Sequence, residues 1–187
     1  MNRICVNCGS KIGARSEYEE AARITGEFIA LNGMGLVYGG GAAGLMGILA
    51  RSCLVNGGAV VGVIPDKIYR RVSHFELNEL HIVKTMHERK QKMSELSDAF
   101  LALPGGYGTF EEIFEAVAWL QLGYHSKPCG IFNVEGYYDP LLAFLENCRE
   151  EGFLKSEHLD LLIVSDDLEE IFTLFREYRN RYTDKWS

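Results

Sequence analysis

The sequence lacks the long apolar segments that membrane insertion and export require. None of its 187 residues falls in an apolar run near the ~20 residues that span a bilayer. Residues 1–6 show no extended apolar stretch with a small-residue cleavage site of the kind found in signal peptides. We therefore expect a cytoplasmic protein that does not bind membranes.

Positive charge is also scarce. The formal net charge is −7, which argues against a nucleic-acid binder, because phosphate backbones require a basic face. The exception is the segment 67–92, which holds seven Lys and Arg residues and three acids, while the rest of the chain carries −11. On charge alone, this segment is either a solvated helix face or a site for one small anion.

Cysteine and histidine spacings do not indicate a metal site or a redox centre. Cys5 and Cys8 form a CxxC motif, but they lie in a predicted strand, where positions three apart point to opposite faces. No second cysteine pair and no HxxxH motif accompanies them. We expect the five cysteines to be reduced core residues, and we expect no metal and no cofactor.

Short apolar segments alternate with longer segments of helical period along the whole chain. This alternation predicts a Rossmann-like, doubly wound parallel sheet with helices on both faces. Ser16 and Glu19 have the spacing of a capping box at the first helix. No linker divides the chain, so we expect one domain over residues 1–187. The predicted strands are 4–8, 35–38, 59–64, 81–84, 99–103, 129–133 and 161–164, and the predicted helices are 16–31, 44–55, 86–96, 109–122, 140–151 and 167–182.

A first glycine loop follows the second predicted strand. Gly39, Gly41 and Gly44 satisfy GxGxxG between a strand and a helix, and Asp66 lies near the position expected for a ribose-binding acid. This pattern fits a dinucleotide site, although that fingerprint normally follows the first strand of the sheet. Close packing of helix against strand explains the glycines equally well.

A second glycine loop, PGGYGTFEE, follows the fifth predicted strand. Gly105, Gly106 and Gly108 expose backbone N–H groups toward the start of the next helix, which is suited to binding phosphate. Thr109 is predicted to be the N-cap of that helix. Glu112 is then either the partner of Thr109 in a capping box or a catalytic carboxylate.

Two basic residues open the helix that precedes this strand. In the segment MHERK, Arg89 and Lys90 are predicted to reach the same edge of the sheet. Arg would offer phosphate a planar set of donors, and Lys a point charge. The apolar stripe of Phe110, Phe114 and Trp119 predicts a core face or a dimer interface.

Three segments together resemble the LONELY GUY family, which comprises cytokinin riboside 5′-monophosphate phosphoribohydrolases long catalogued as lysine decarboxylases. These segments are VYGGGAAGLMG (residues 37–47), MHERK (86–90) and PGGYGTFEE (104–112), and the family pattern PGGxGTxxE is matched in full. Asn7, Lys11 and Arg71 depart from residues common in relatives, which bears on base preference more than on reaction type.

The resemblance implies hydrolysis of the N-glycosidic bond of a nucleoside 5′-monophosphate, such as AMP, by a homodimer or larger assembly with its site near the subunit interface. It implies that Arg89 and Glu112 are the catalytic pair. An alternative is a non-catalytic nucleotide or molybdenum-cofactor carrier, which would not need that pair. The predicted substrate-binding residues are Gly40, Gly41, Lys90, Gly105, Gly106, Tyr107, Gly108 and Thr109.

Overall fold

Seven strands and eight helices make up the structure, a computed structural model that describes residues 1–74 and 76–179. The strands are β1 (Arg3–Asn7), β2 (Gly35–Tyr38), β3 (Ala59–Pro65), β4 (Glu79–Val83), β5 (Ala99–Ala102), β6 (Cys129–Phe132) and β7 (Leu162–Ser165). The helices are α1 (Ser16–Leu31), α2 (Gly44–Val55), α3 (Asp66–Tyr69), α4 (Met86–Leu96), α5 (Tyr107–Gln121), α6 (Asp139–Glu150), α7 (Ser156–Leu159) and α8 (Leu168–Glu177), with a 3-10 turn at Val134–Gly136.

The strands form one parallel sheet in the order β4-β3-β2-β1-β5-β6-β7. Strand order reverses between β1 and β5, which pair with Val6 opposite Leu101. In sheets of this type, ligands bind beyond the carboxyl ends of the strands at the point of reversal. The loops after β1 and β5 flank that point, and the loop after β2 lies beside them.

Two apolar cores, one on each face of the sheet, follow from the alternation of side chains along the strands. Ile4 and Val6 of β1 pack with residues of α1, α2 and α8, whereas Cys5 packs with residues of α4 and α5. The predicted doubly wound parallel sheet with helices on both faces is therefore confirmed. Because α4 and α5 share one face, their side chains can meet across β1.

Some local predictions were wrong. Ser16 is the first residue of α1, not its cap, and Arg15 precedes the helix without a side-chain capping bond. The fourth strand begins two residues before the predicted range and ends at Val83. The last helix ends at Glu177, and residues 180–182 of the predicted helix lie outside the described residues.

No helix among the described residues is both long and apolar enough to cross a bilayer.

Candidate active site

Three loops meet where the strand order reverses. The N–H of Gly9, after β1, donates to the carbonyl of Pro104, after β5 (3.0 Å), and the Gly9 carbonyl accepts from the N–H of Met46 in α2 (3.3 Å). Gly44 has a φ of +60° and lies so close to Ser10 that a Cβ would approach the Ser10 carbonyl carbon to 2.2 Å. The two predicted glycine loops are thus brought to one edge of the sheet.

The helices that follow β1, β2 and β5 begin without a capping side chain. Gly106 is the N-cap of α5 and Ala43 that of α2, and neither makes a side-chain capping bond. By contrast, Thr85 caps α4 and Asp167 caps α8 with their own side chains. Uncapped first-turn N–H groups at the positive end of a helix dipole are available to an anion.

Thr109 does not cap α5, which corrects the sequence prediction. The helix begins two residues earlier, at Tyr107, because the Phe110 N–H already bonds to the Gly106 carbonyl at 3.0 Å. The Thr109 side chain is buried instead, and its hydroxyl oxygen would lie 2.1 Å from a Cβ on Gly105. Glu112 is therefore beyond the first turn of the helix, and its interpretation as a capping-box residue is wrong.

Arg89 and Glu112, which were predicted to be a pair, form a buried ion pair. Nη1 of Arg89 donates to Oε1 of Glu112, and their side chains are only 10% and 13% exposed. Nε of Arg89 donates to the carbonyl of Val63 in β3 (3.1 Å), which fixes the guanidinium over the sheet. The pair joins α4 to α5 beside the three loops.

The electrostatics of the pair leave Glu112 easier to protonate than an ordinary glutamate. Burial raises the pKa of the Glu112 carboxyl, and the guanidinium of Arg89 opposes the rise without cancelling it. A carboxylate that is partly desolvated acts more strongly on nearby charge than one in water, because the effective dielectric constant is lower. The pair therefore suits a reaction in which positive charge develops on a ligand.

Lys90 does not point toward the glycine loops as an unpaired cation. Its ammonium donates to Glu111 and, at 3.0 Å, to Glu115, both in α5. Burial disfavours the charged form, but the two carboxylates outweigh that effect, and the pKa of Lys90 is raised. Lys90 thus forms a second ionic link between α4 and α5, on the same side as Arg89.

The first glycine loop is explained in part by packing. A Cβ on Gly39 would lie 2.2 Å from Nη2 of Arg89, so this glycine makes room for the guanidinium. Gly40 has a φ of +77°, which favours glycine. Asp66, considered as a ribose ligand, forms an ion pair with Arg70 at 3.0 Å.

The second glycine loop contains space that the described part of the chain leaves open. A Cβ on Gly106 or Gly108 would meet no atom within 4 Å. Tyr107, between them, is 93% exposed. Packing against the described residues therefore does not explain why positions 106 and 108 lack side chains, whereas a bound ligand would.

Two further residues contribute to the site. Sequence reasoning noted Asn7 only as a departure from relatives, and it missed Tyr137. Asn7, at the end of β1, is buried and lines a cavity of about 20 Å³ together with Glu112 and Lys90, a volume that fits one water molecule. Tyr137, in the turn before α6, donates its hydroxyl to the carbonyl of Gly105 (2.5 Å). The segment VEGYYDP carries no recognisable motif, so only the fold could reveal this contact.

The cysteines are free thiols, as predicted. Cys5, in β1, and Cys8, directly after it, pack on opposite faces of the sheet, and burial raises the pKa of both thiols. Four of the five cysteines are buried, and Cys148 is half-buried. Across residues 1–74 and 76–179, no group of three or more His, Cys, Asp or Glu side chains is arranged to bind a metal ion.

The fold and the site define a Rossmann-like protein with uncapped helix starts at one edge of its sheet and a buried Arg–Glu pair. Residues 46–175 match the family model described as "Possible lysine decarboxylase". A cytokinin riboside 5′-monophosphate phosphoribohydrolase of Arabidopsis thaliana is 44% identical over 179 residues, covering 95% of this chain and 83% of the relative. One of Oryza sativa subsp. japonica is 42% identical over 183 residues, covering 97% and 76%. The chain belongs to the LONELY GUY family of cytokinin riboside 5′-monophosphate phosphoribohydrolases.

The chain is also similar in fold to solved protein structures. The molybdenum cofactor binding protein of the phototrophic bacterium Rippkaea orientalis superposes with a TM-score of 0.71 at 21% identity, over 94% of this chain and 96% of that one. At this identity the likeness shows the fold alone. It agrees with the Rossmann-like architecture predicted from the sequence.

Proposed function

We propose that this protein hydrolyses the N-glycosidic bond of a nucleoside 5′-monophosphate, AMP or an N6-modified AMP, to a free base and ribose 5-phosphate. The observation that carries the proposal is the buried Arg89–Glu112 pair beside the uncapped start of α5. A phosphate site and a carboxylate at this separation, about one and a half helical turns, suit the two ends of a ribose 5-phosphate unit. Residues 1–187 would act as one catalytic domain.

We assign the 5′-phosphate to the second glycine loop. The first-turn N–H groups of α5 and the open space at Gly106 and Gly108 would receive it. Gly40 and Gly41, in the adjacent loop, would form the opposite wall. Thr109 would act through its packing on Gly105. Binding energy from the phosphate would then hold the sugar against the reacting groups.

We assign the chemistry to Glu112 and Arg89. As the bond between C1′ and the base nitrogen breaks, positive charge develops on the sugar, and the Glu112 carboxylate stabilises it. A water oxygen bonds to C1′; one water proton is transferred to the departing base, and the other remains on the new hydroxyl. Arg89 orients Glu112 and contacts ribose or phosphate.

Lysine decarboxylation, the activity in the description of the matching family model, is less compatible with the site. That reaction needs a lysine able to form a Schiff base with pyridoxal phosphate. Lys90, beside Arg89, is held by two carboxylates that keep it charged, and a charged amine is not nucleophilic. Turnover of lysine by protein supplemented with pyridoxal phosphate would contradict this assignment.

We further propose a cytoplasmic homodimer with the site near its interface. The outer surface of α4 and α5 carries a groove of about 730 Å³ lined in part by Trp119 and Tyr124, and Tyr124 is largely exposed. A second copy covering this groove would lie beside the helices that hold Arg89 and Glu112. Light scattering after gel filtration should give twice the mass of the 21.0 kDa chain. The Trp119→Glu variant should give the mass of a single chain.

Product analysis tests the proposed reaction. Purified protein incubated with AMP in ¹⁸O-water should release adenine and ribose 5-phosphate in equal amounts, with the label on ribose 5-phosphate. Labelled inorganic phosphate with adenosine would contradict it, since that outcome reports a phosphatase. Tight binding without turnover of AMP or N6-prenyl AMP would instead support the carrier function.

A further inference from the structure

Two adjacent tyrosines, which the proposed reaction does not use, donate hydrogen bonds to backbone carbonyls at the second glycine loop. Tyr137 donates its hydroxyl to the carbonyl of Gly105, and Tyr138 donates its own to the carbonyl of Leu103 (2.7 Å). Both residues come from the turn between β6 and α6. The loop that would bind phosphate is therefore anchored by side chains more than 30 residues away in sequence.

The bond from Tyr137 fixes the direction of one N–H group. In a trans peptide the carbonyl and the following N–H point in opposite directions, and no cis peptide occurs among the described residues. Because the Gly105 carbonyl faces Tyr137, the N–H of Gly106 faces away from it. That N–H belongs to the N-cap of α5 and bonds to no group in residues 1–74 and 76–179.

Glycine on both sides makes this constraint necessary. The peptide between Gly105 and Gly106 is flanked by residues without a Cβ, so it can rotate more easily than a peptide between other residues. The preceding peptide is already fixed, because the Pro104 carbonyl accepts from the Gly9 N–H at 3.0 Å. Without the Tyr137 hydroxyl, the next peptide loses the one described hydrogen bond that sets its orientation.

Tyr138 provides a natural contrast. Its hydroxyl holds the Leu103 carbonyl, but the next residue is Pro104, which has no N–H. Fixing that peptide therefore orients no donor toward a ligand. Tyr138 is almost fully buried, so its hydroxyl bond contributes to the packing of the loop.

We propose that Tyr137 is a positioning residue that aims the Gly106 N–H at the 5′-phosphate before the nucleotide binds. The inference rests on the proposed function for the identity of the ligand. Its physical basis is that a donor held in place loses no orientational freedom on binding. Tyr137 itself need not contact the substrate.

Tyr137→Phe tests the role with little disturbance of packing. The ring makes edge-to-face contacts with Tyr18 (centroids 5.5 Å apart) and Tyr138 (4.9 Å), and phenylalanine can keep both. We expect KM for AMP and Kd for ribose 5-phosphate to rise together by roughly tenfold, with kcat within about twofold, because a charge-assisted hydrogen bond is weakened. The matched control, Tyr138→Phe, should lower the melting temperature and leave both constants unchanged.

An equal effect of the two variants on KM, or no effect of Tyr137→Phe, would overturn the inference. A measurement on the unmodified protein does not depend on how the variants fold: the Gly106 amide resonance should shift downfield as ribose 5-phosphate is added. An unshifted Gly106 resonance at saturation would also overturn it. If ribose 5-phosphate binds and shifts this resonance but AMP is not hydrolysed, the proposed function fails while the role of Tyr137 stands.

Discussion

Replacement of Glu112 by glutamine removes the negative charge of the proposed catalytic carboxylate and little else. The amide has nearly the same shape, and its carbonyl oxygen can still accept from Nη1 of Arg89, where the carboxylate accepts now. The variant therefore separates the charge of Glu112 from its role in joining α4 to α5. We expect it to fold, but with a free energy of unfolding lowered by up to about 3–5 kcal/mol, because the buried Arg89 charge loses its counter-ion.

The expected loss of activity follows from the burial of the pair. Two unit charges 4 Å apart interact by about 4 kcal/mol at an effective dielectric constant of 20. Arg89, bonded to the same carboxylate, cancels part of this attraction for the sugar cation. We therefore expect about 3 kcal/mol of lost transition-state stabilisation, which is about a hundredfold in kcat.

The assay is the release of adenine from saturating AMP, measured for Glu112→Gln and for the matched control Glu111→Gln. Glu111 is the adjacent residue, its side chain is 53% exposed, and it bonds to Lys90 rather than Arg89. Solvent screens an exposed charge, so kcat of the control should change by less than about threefold. Full turnover by folded Glu112→Gln would refute the reasoning and leave Glu112 as a structural partner of Arg89.

Three further predictions follow from the same geometry. Because burial raises the pKa of Glu112 above 4.5 and activity needs its ionised form, kcat/KM should fall on the acid side at a pH above 4.5. In Glu112→Gln the contribution of Glu112 to that limb should be absent, which leaves only the titration of the substrate phosphate at about pH 6 that both proteins share. Gly26→Ala should lower the free energy of unfolding in urea by about 2 kcal/mol, because its Cβ would lie 2.3 Å from the Leu49 carbonyl oxygen. Helix propensity alone would favour alanine and predicts the opposite sign. In Gly108→Ala the added Cβ would have no described atom within 4 Å, so the melting temperature of the variant should stay the same or rise. Its KM for AMP should increase, because the Cβ would occupy space proposed for the phosphate. An unchanged KM would place the phosphate elsewhere.

Much of the fold could be predicted because local patterns and topology agree. Apolar strands alternating with helical segments have few arrangements other than a parallel sheet covered on both faces. That architecture brings the residues after successive strands to one edge of the sheet. The sequence alone therefore predicts that the two glycine loops lie at the same edge. The Arg89–Glu112 pair required more, since 23 residues separate its members and the family resemblance supplied the link.

The remaining features depend on contacts that no local pattern encodes. Thr109 is a residue type that favours N-cap positions, yet Gly106 is the N-cap of α5 and the Thr109 side chain packs inward on Gly105. Lys90 was expected at the phosphate, and its orientation toward Glu111 is set by how α4 lies on α5. Tyr137 reaches Gly105 from a turn that carries no motif. Each is a tertiary contact that overrides or adds to local propensity.

A crystal structure of Glu112→Gln with AMP would test the central claim most directly. The slowed variant should retain intact nucleotide, with the phosphate at the N–H groups of Gly106 and the first turn of α5 and with C1′ beside the side chain of residue 112. A nucleotide bound with its base at the glycine loop, or with its sugar beyond reach of both Arg89 and residue 112, would contradict the account.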